Sequence, residues 1–119
     1  FKGYTVEELD VLRENRSKMN SEDGYYILEH DVNAIQNGIY REYRLDNIKE
    51  ILMMSDGFSS IHNKYDLLSV EDLLAKSKNE GMKPLLKMIR DVEESDPKIE
   101  TYKRLRRHDD ATAVYINVD

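Results

Sequence analysis

Two apolar runs, each joined directly to aspartate, constrain most of what this chain can fold into. Glu50-Ile51-Leu52-Met53-Met54 is continuously apolar after its first residue and runs straight into Ser55-Asp56-Gly57-Phe58. The last segment, Ala111-Thr112-Ala113-Val114-Tyr115-Ile116-Asn117-Val118, is preceded by Asp109-Asp110. Both runs read as strands, and the unbroken first one reads as a strand covered on both faces. One acidic loop thus follows a core strand and the other precedes one. If the two strands are neighbours running in opposite directions, both loops emerge at the same edge of the sheet. Carboxylates far apart in sequence can then converge on one ion.

The remaining elements follow from caps and periodicity. Thr5 and Glu8 have capping-box spacing ahead of a helix expected from Val6 to Met19, with Val6, Leu9 and Leu12 on one face. Asn20 to Gly24 is a turn cluster, and Tyr25-Tyr26-Ile27-Leu28 reads as a strand. A short helix is expected over Asp31 to Gln36, with Gly38 as its left-handed cap. Large residues alternate along Ile39 to Leu45, as in a strand with one buried face. After Asp56 the chain turns helical. Ser69 is an N-cap ahead of Val70, Leu73 and Leu74, and Gly81 breaks the pattern. Leu85, Leu86, Ile89 and Val92 form a second apolar stripe, with Pro84 in its first turn. Asp96-Pro97 ends the helical region. The expected class is α+β, with antiparallel sheet layers flanked by helices.

Composition narrows the function. The formal net charge is −6, which argues against general nucleic-acid affinity, because phosphate backbones select basic faces. The chain has no cysteine, so disulfide staples and thiolate metal sites are excluded. No apolar run approaches the roughly 20 residues that span a bilayer, and no signal-peptide pattern opens the chain. No membrane association and a cytoplasmic location are the expectations.

The candidate chemistry lies in the acidic loops. Glycine after Asp56 permits a sharp turn and removes bulk beside the carboxylate, although Asp-Gly is also a common turn dipeptide. Asp109 and Asp110 repel each other unless they are solvated or share a cation. Oxygen ligands of this kind suit Mg²⁺ or Mn²⁺. His30, His62 and His108 have no helical metal spacing, so zinc is not expected. His108 beside the acidic pair reads as a surface residue ahead of a proton carrier. The basic run Lys98, Lys103, Arg104, Arg106 and Arg107 reads as a solvated element offsetting the acidic loops.

Ile51-Leu52-Met53-Met54-Ser55-Asp56-Gly57-Phe58 resembles the strand-and-loop motif of the type 2C metal-dependent protein serine/threonine phosphatases. Asp109-Asp110-Ala111-Thr112-Ala113-Val114 resembles that family's closing motif, and the helical spacer between the two also matches. Arg16 to Asn20 followed by Gly24 to Leu28 is similar to a basic loop leading into a strand in bacterial members. The resemblance covers most of the chain and implies part of a β-sandwich flanked by helices. It further implies hydrolysis of phosphoserine or phosphothreonine in proteins, with a binuclear Mg²⁺ or Mn²⁺ centre in the intact fold. Asp56 matches one metal-ligand aspartate. Aligning Thr112 on the family's Thr or Ser places Asp109 at the second, and a one-residue slip would exchange it for Asp110.

The family's upstream half, with its glycine-rich metal-bridging element, has no counterpart here. Residues 1–119 are therefore expected to be the C-terminal part of such a domain, whose missing N-terminal half is a partner in the site. Part of a metal site, inactive alone, is the leading expectation. The alternative is a pseudophosphatase-like module that recognises a phosphoprotein or partner without catalysis, and a weaker one is a small α+β domain with incidental acidic loops.

Overall fold

The computed structural model describes residues 3–118. They divide into two units, Tyr4–Tyr43 and a second built on residues 44–118.

The first unit is held by local bonds. Its helix α1, Val6–Ser17, starts on the expected capping box, with Glu8 N–H donating to the Thr5 hydroxyl and Thr5 N–H to the Glu8 carboxylate. No residue of α1 is buried, so the Val6, Leu9 and Leu12 face is not a core stripe here. Helix α2, Val32–Gln36, is capped by the Asp31 side chain. Three expectations fail along residues 25–45. Tyr25–Leu28 is not a strand. Only Tyr25 makes a bridge, to Met19, and the Asn20 side chain takes the Ile27 N–H at 2.8 Å in place of a ladder partner. Gly38 is not left-handed, and Asn37, at φ −94°, ends α2 instead. The expected strand over Ile39 to Leu45 is irregular chain, with Ile39, Tyr40, Tyr43 and Leu45 exposed. Alternation alone forms no strand when no neighbouring backbone satisfies its N–H and C=O groups.

The second unit is a mixed α+β assembly. Strand β1, Glu50–Met54, leads into helices α3, Asp56–Asn63, α4, Val70–Glu80, and α5, Met82–Ser95, and the chain returns as strand β2, Ala113–Asn117. The strands pair antiparallel, from Glu50 opposite Asn117 to Met54 opposite Ala113. Among the described residues the sheet has these two strands, and α5 packs against both α3 and α4. The Ser69 hydroxyl caps α4 as expected. Gly81 separates α4 from α5 at φ +79°, a conformation that suits glycine. Pro84 sits in the first turn of α5, where its missing N–H has no partner to lose.

Helical spacing sets the core. Phe58, Ile61 and Tyr65 from α3 and the residue run after it meet Leu73 of α4 and Leu85 and Ile89 of α5. Leu52 and Ala113, on one face of the sheet, pack against this cluster. Strand alternation puts Ile51, Met53, Val114 and Ile116 on the other face. That face is open, with Met53 52% and Val114 47% exposed. The helices therefore cover one face of β1 and not the expected two. No helix among the described residues is long and apolar enough to cross a membrane.

The segment between α5 and β2 departs most from expectation. Arg104, read from the sequence as part of a solvated basic run, is buried against Asp96 at 2.6 Å. Its guanidinium also donates to the carbonyls of Glu93 and Asp96, at the C-terminal end of α5. Such carbonyls have no intrahelical partner, and a cation there opposes the helix dipole. Asp96 in turn accepts the backbone N–H groups of Glu100, Thr101 and Tyr102. Desolvation works to raise the Asp96 pKa. The Tyr102 N–H, the Arg104 guanidinium and the other two amides outweigh it and hold the carboxyl far below the usual range.

A carboxyl with a depressed folded-state pKa contributes stability that is full above its ordinary value of 3.8 and is lost as pH falls below it. Urea midpoints measured between about pH 5 and about pH 2 should fall more steeply for the wild-type chain than for Asp96→Asn. Parallel curves would remove Asp96 from the acid response.

Candidate metal-binding edge

The β1–β2 register carries both acidic loops to one end of the sheet. Met54 and Ala113 are the last ladder pair, so Ser55-Asp56 leaves the sheet where Asp110-Ala111-Thr112 enters it. Ser55 extends the pairing beyond the strands. Its N–H donates to the Thr112 carbonyl at 2.9 Å. Its hydroxyl accepts the Thr112 N–H at 3.0 Å and donates to the Asp110 carbonyl at 3.2 Å. Ser55 is the N-cap residue of α3, yet its side chain makes no capping bond. The hydroxyl that would normally satisfy the helix end is committed to the opposite loop.

Gly57 makes the contact close. A Cβ at this position would lie 2.3 Å from the Asp110 carbonyl oxygen and 3.3 Å from the Asp109 Cβ. Glycine is thus required by a backbone more than fifty positions away in sequence, and not by a positive φ. Asp56 is the first residue of α3 and is exposed. An acidic side chain is favoured there by the helix dipole. Its Oδ1 accepts the Gly57 N–H at 2.9 Å. Asp109 is also exposed, and its Oδ1 accepts the Asp110 N–H at 3.0 Å. The Asp109 carbonyl accepts from Arg90 Nη2 at 2.8 Å.

The structure therefore brings the loops bearing Asp56, Asp109 and Asp110 together, as the sequence implied. Their donors are hard oxygens of the kind that Mg²⁺ and Mn²⁺ take. Among the described residues, however, no group of three or more His, Cys, Asp or Glu side chains is gathered closely enough to hold an ion.

Behind the edge lies a polar cluster that the sequence did not reveal. Glu93, on the buried stripe of α5, is 1% exposed. Its Oε2 accepts from Arg90 Nη1 at 2.5 Å and from His108 Nδ1 at 2.9 Å, and its Oε1 accepts the Tyr65 hydroxyl at 3.3 Å. Desolvation acts to raise the Glu93 pKa, but the bonds from His108, Arg90 and Tyr65 carry it below the usual value. His108 Nε2 lies 3.0 Å from Glu94, which also pairs with Arg107. Spacing hints at this cluster in one way only: Glu93 falls four residues after Ile89, which itself lies four after Leu85.

Comparison with protein-family models, curated proteins and solved structures finds no match to the chain.

Gly57→Ala should force the two loops apart. Overpacking of this kind costs about 1–3 kcal/mol, which urea denaturation would read. The amide resonances of Asp110 and Thr112 should shift together. An unchanged midpoint with unmoved resonances would show that the loops are not in contact.

Proposed function

We propose that this chain supplies one metal-facing edge of a type 2C-like protein serine/threonine phosphatase, with Asp56 and Asp109 as carboxylate ligands to Mg²⁺ or Mn²⁺. The observation that carries the reading is the Ser55 and Gly57 contact with Asp110, which draws the two acidic loops to one lip of the sheet. The substrate class is phosphoserine or phosphothreonine in proteins. A bound cation supplies charge neutralisation and Lewis acidity for phosphoester hydrolysis. The chain's own residues hold the geometry. Ser55 fixes the separation of the loops, Gly57 lets them touch, and the Asp56 and Asp109 bonds to their following amides orient each carboxylate.

The open apolar face of Ile51, Met53, Val114 and Ile116 supports a second sheet layer, and so a β-sandwich completed by the N-terminal half that the family resemblance implies. That half would also bring the further metal donors. A cytoplasmic location belongs to the same reading. The second reading keeps the same edge without the chemistry: a pseudophosphatase-like module that recognises a phosphoprotein or partner without catalysis.

Calorimetric titration with Mn²⁺ tests the ligands. The chain should bind weakly, Asp56→Asn and Asp109→Asn should each lower affinity by about tenfold or more, and Asp110→Asn should change it little. Unchanged binding in the first two variants overturns the assignment, and a loss confined to Asp110→Asn exchanges the two neighbours.

Activity separates the two readings. The 119-residue chain alone should release little phosphate from an aryl phosphate with Mn²⁺, whereas a chain extended through a complete upstream half should turn over. Robust release by the chain alone would refute the partial-site reading. No release by the extended chain would leave the binding module.

A further inference from the structure

We infer that Glu93 is a positioning residue for Asp109, holding the backbone on either side of that carboxylate through Arg90 and His108. The inference rests on the proposed role of Asp109 as a metal ligand.

Glu93 occupies a place where the α5 stripe calls for an aliphatic side chain. Leu85 and Ile89 precede it at four-residue steps, and all three are fully buried. A carboxylate there is expensive to desolvate, and a buried ion pair is weak evidence of stability but a means of fixing one arrangement. Every bond it makes has a direction. Oε1 faces inward to the Tyr65 hydroxyl. Oε2 faces the acidic edge and takes two donors, Arg90 Nη1 and His108 Nδ1. The other terminal nitrogen of Arg90 donates to the Asp109 carbonyl, and His108 immediately precedes Asp109. The loop is thus tied at two successive residues to one buried anchor. Loops that present ligands are otherwise mobile, and groups that orient a ligand tune the affinity of the ion.

The test is ¹⁵N relaxation on the Asp109 and Asp110 amides of the full chain, without metal. The variants are Arg90→Met, Glu93→Leu, Glu93→Gln and Tyr65→Phe. The Asp110 amide is informative because it donates to the Asp109 carboxylate. Arg90→Met and Glu93→Leu should lower the order parameters from about 0.85 to below about 0.6. Glu93→Gln, which keeps an acceptor and the shape, should restore most of the order. Tyr65→Phe removes only the inward bond and should leave both amides rigid. Rigid amides in Arg90→Met and Glu93→Leu overturn the inference, as does equal loosening in Tyr65→Phe, which marks a general packing role. The Arg90 side chain is 32% exposed, so Arg90→Met decides the matter if Glu93→Leu does not fold. Mn²⁺ titration of the same variants, beside Asp109→Asn, should show a loss of about tenfold in Arg90→Met. Equal binding by the wild type and Asp109→Asn would end the ligand reading alone, and the order parameters would still judge the brace.

Discussion

The return of the chain from α5 to β2 depends on one buried pair, Arg104 with Asp96. The connecting segment has no ladder and no helix to satisfy its backbone. Asp96 gathers three of its N–H groups, and Arg104 takes the carbonyls left over at the end of α5. Among the described residues no buried side-chain polar atom is left without a partner. Ions of opposite sign removed from water recover little net stability unless every lone pair and proton is used, and here they are. Ile99, three residues on from Asp96, adopts φ +57°, an uncommon state for a β-branched residue. The bonds around Asp96 hold that conformation in place. With the return path fixed, β2 has one direction of approach to β1.

The edge at the end of those strands uses its polar groups across the gap and not along its own helix. Ser55 leaves α3 without a side-chain cap and joins the opposite loop instead. Gly57 gives up a side chain so that the Asp110 carbonyl can sit where a Cβ would be. Both choices weaken local structure slightly and strengthen a long-range junction. Such an exchange is understandable where the relative placement of two carboxylates matters more than the stability of one helix.

What was legible in the sequence is what depends on near neighbours. The Thr5 box, the Ser69 cap, the Gly81 break, the place of Pro84 and the bounds of β1 all follow from residues within a few positions. The junction of the acidic loops was legible too, because two strands with complementary loops have few ways to pair. The failures are tertiary. Ile39 to Leu45 alternates like a strand but meets no partner, and Asn20 substitutes its side chain for the ladder that Tyr25 to Leu28 would need. Charge counting treats Lys98, Lys103, Arg104, Arg106 and Arg107 alike, although a buried carboxylate selects Arg104 alone from among them for the interior. Glu93 reads as one more acidic residue on a charged helix until the stripe beneath it is traced. The glycine of Asp56-Gly57 is visible as a turn former, but its actual constraint is a carbonyl in the other loop.

The antiparallel pairing also bears on the order in which the unit assembles. Its innermost pair, Met54 with Ala113, closes over the whole of residues 55–112. Helices within that span need only neighbouring residues to form, whereas strand closure must first overcome the entropy of joining distant ends. Loop-closure entropy therefore argues for late closure of the zipper between β1 and β2, with the two acidic loops joined only once it shuts. On the proposed reading, a divalent cation held there would bind the closed form and not the open one. It would act as a latch that deepens the folded well in proportion to the logarithm of its concentration.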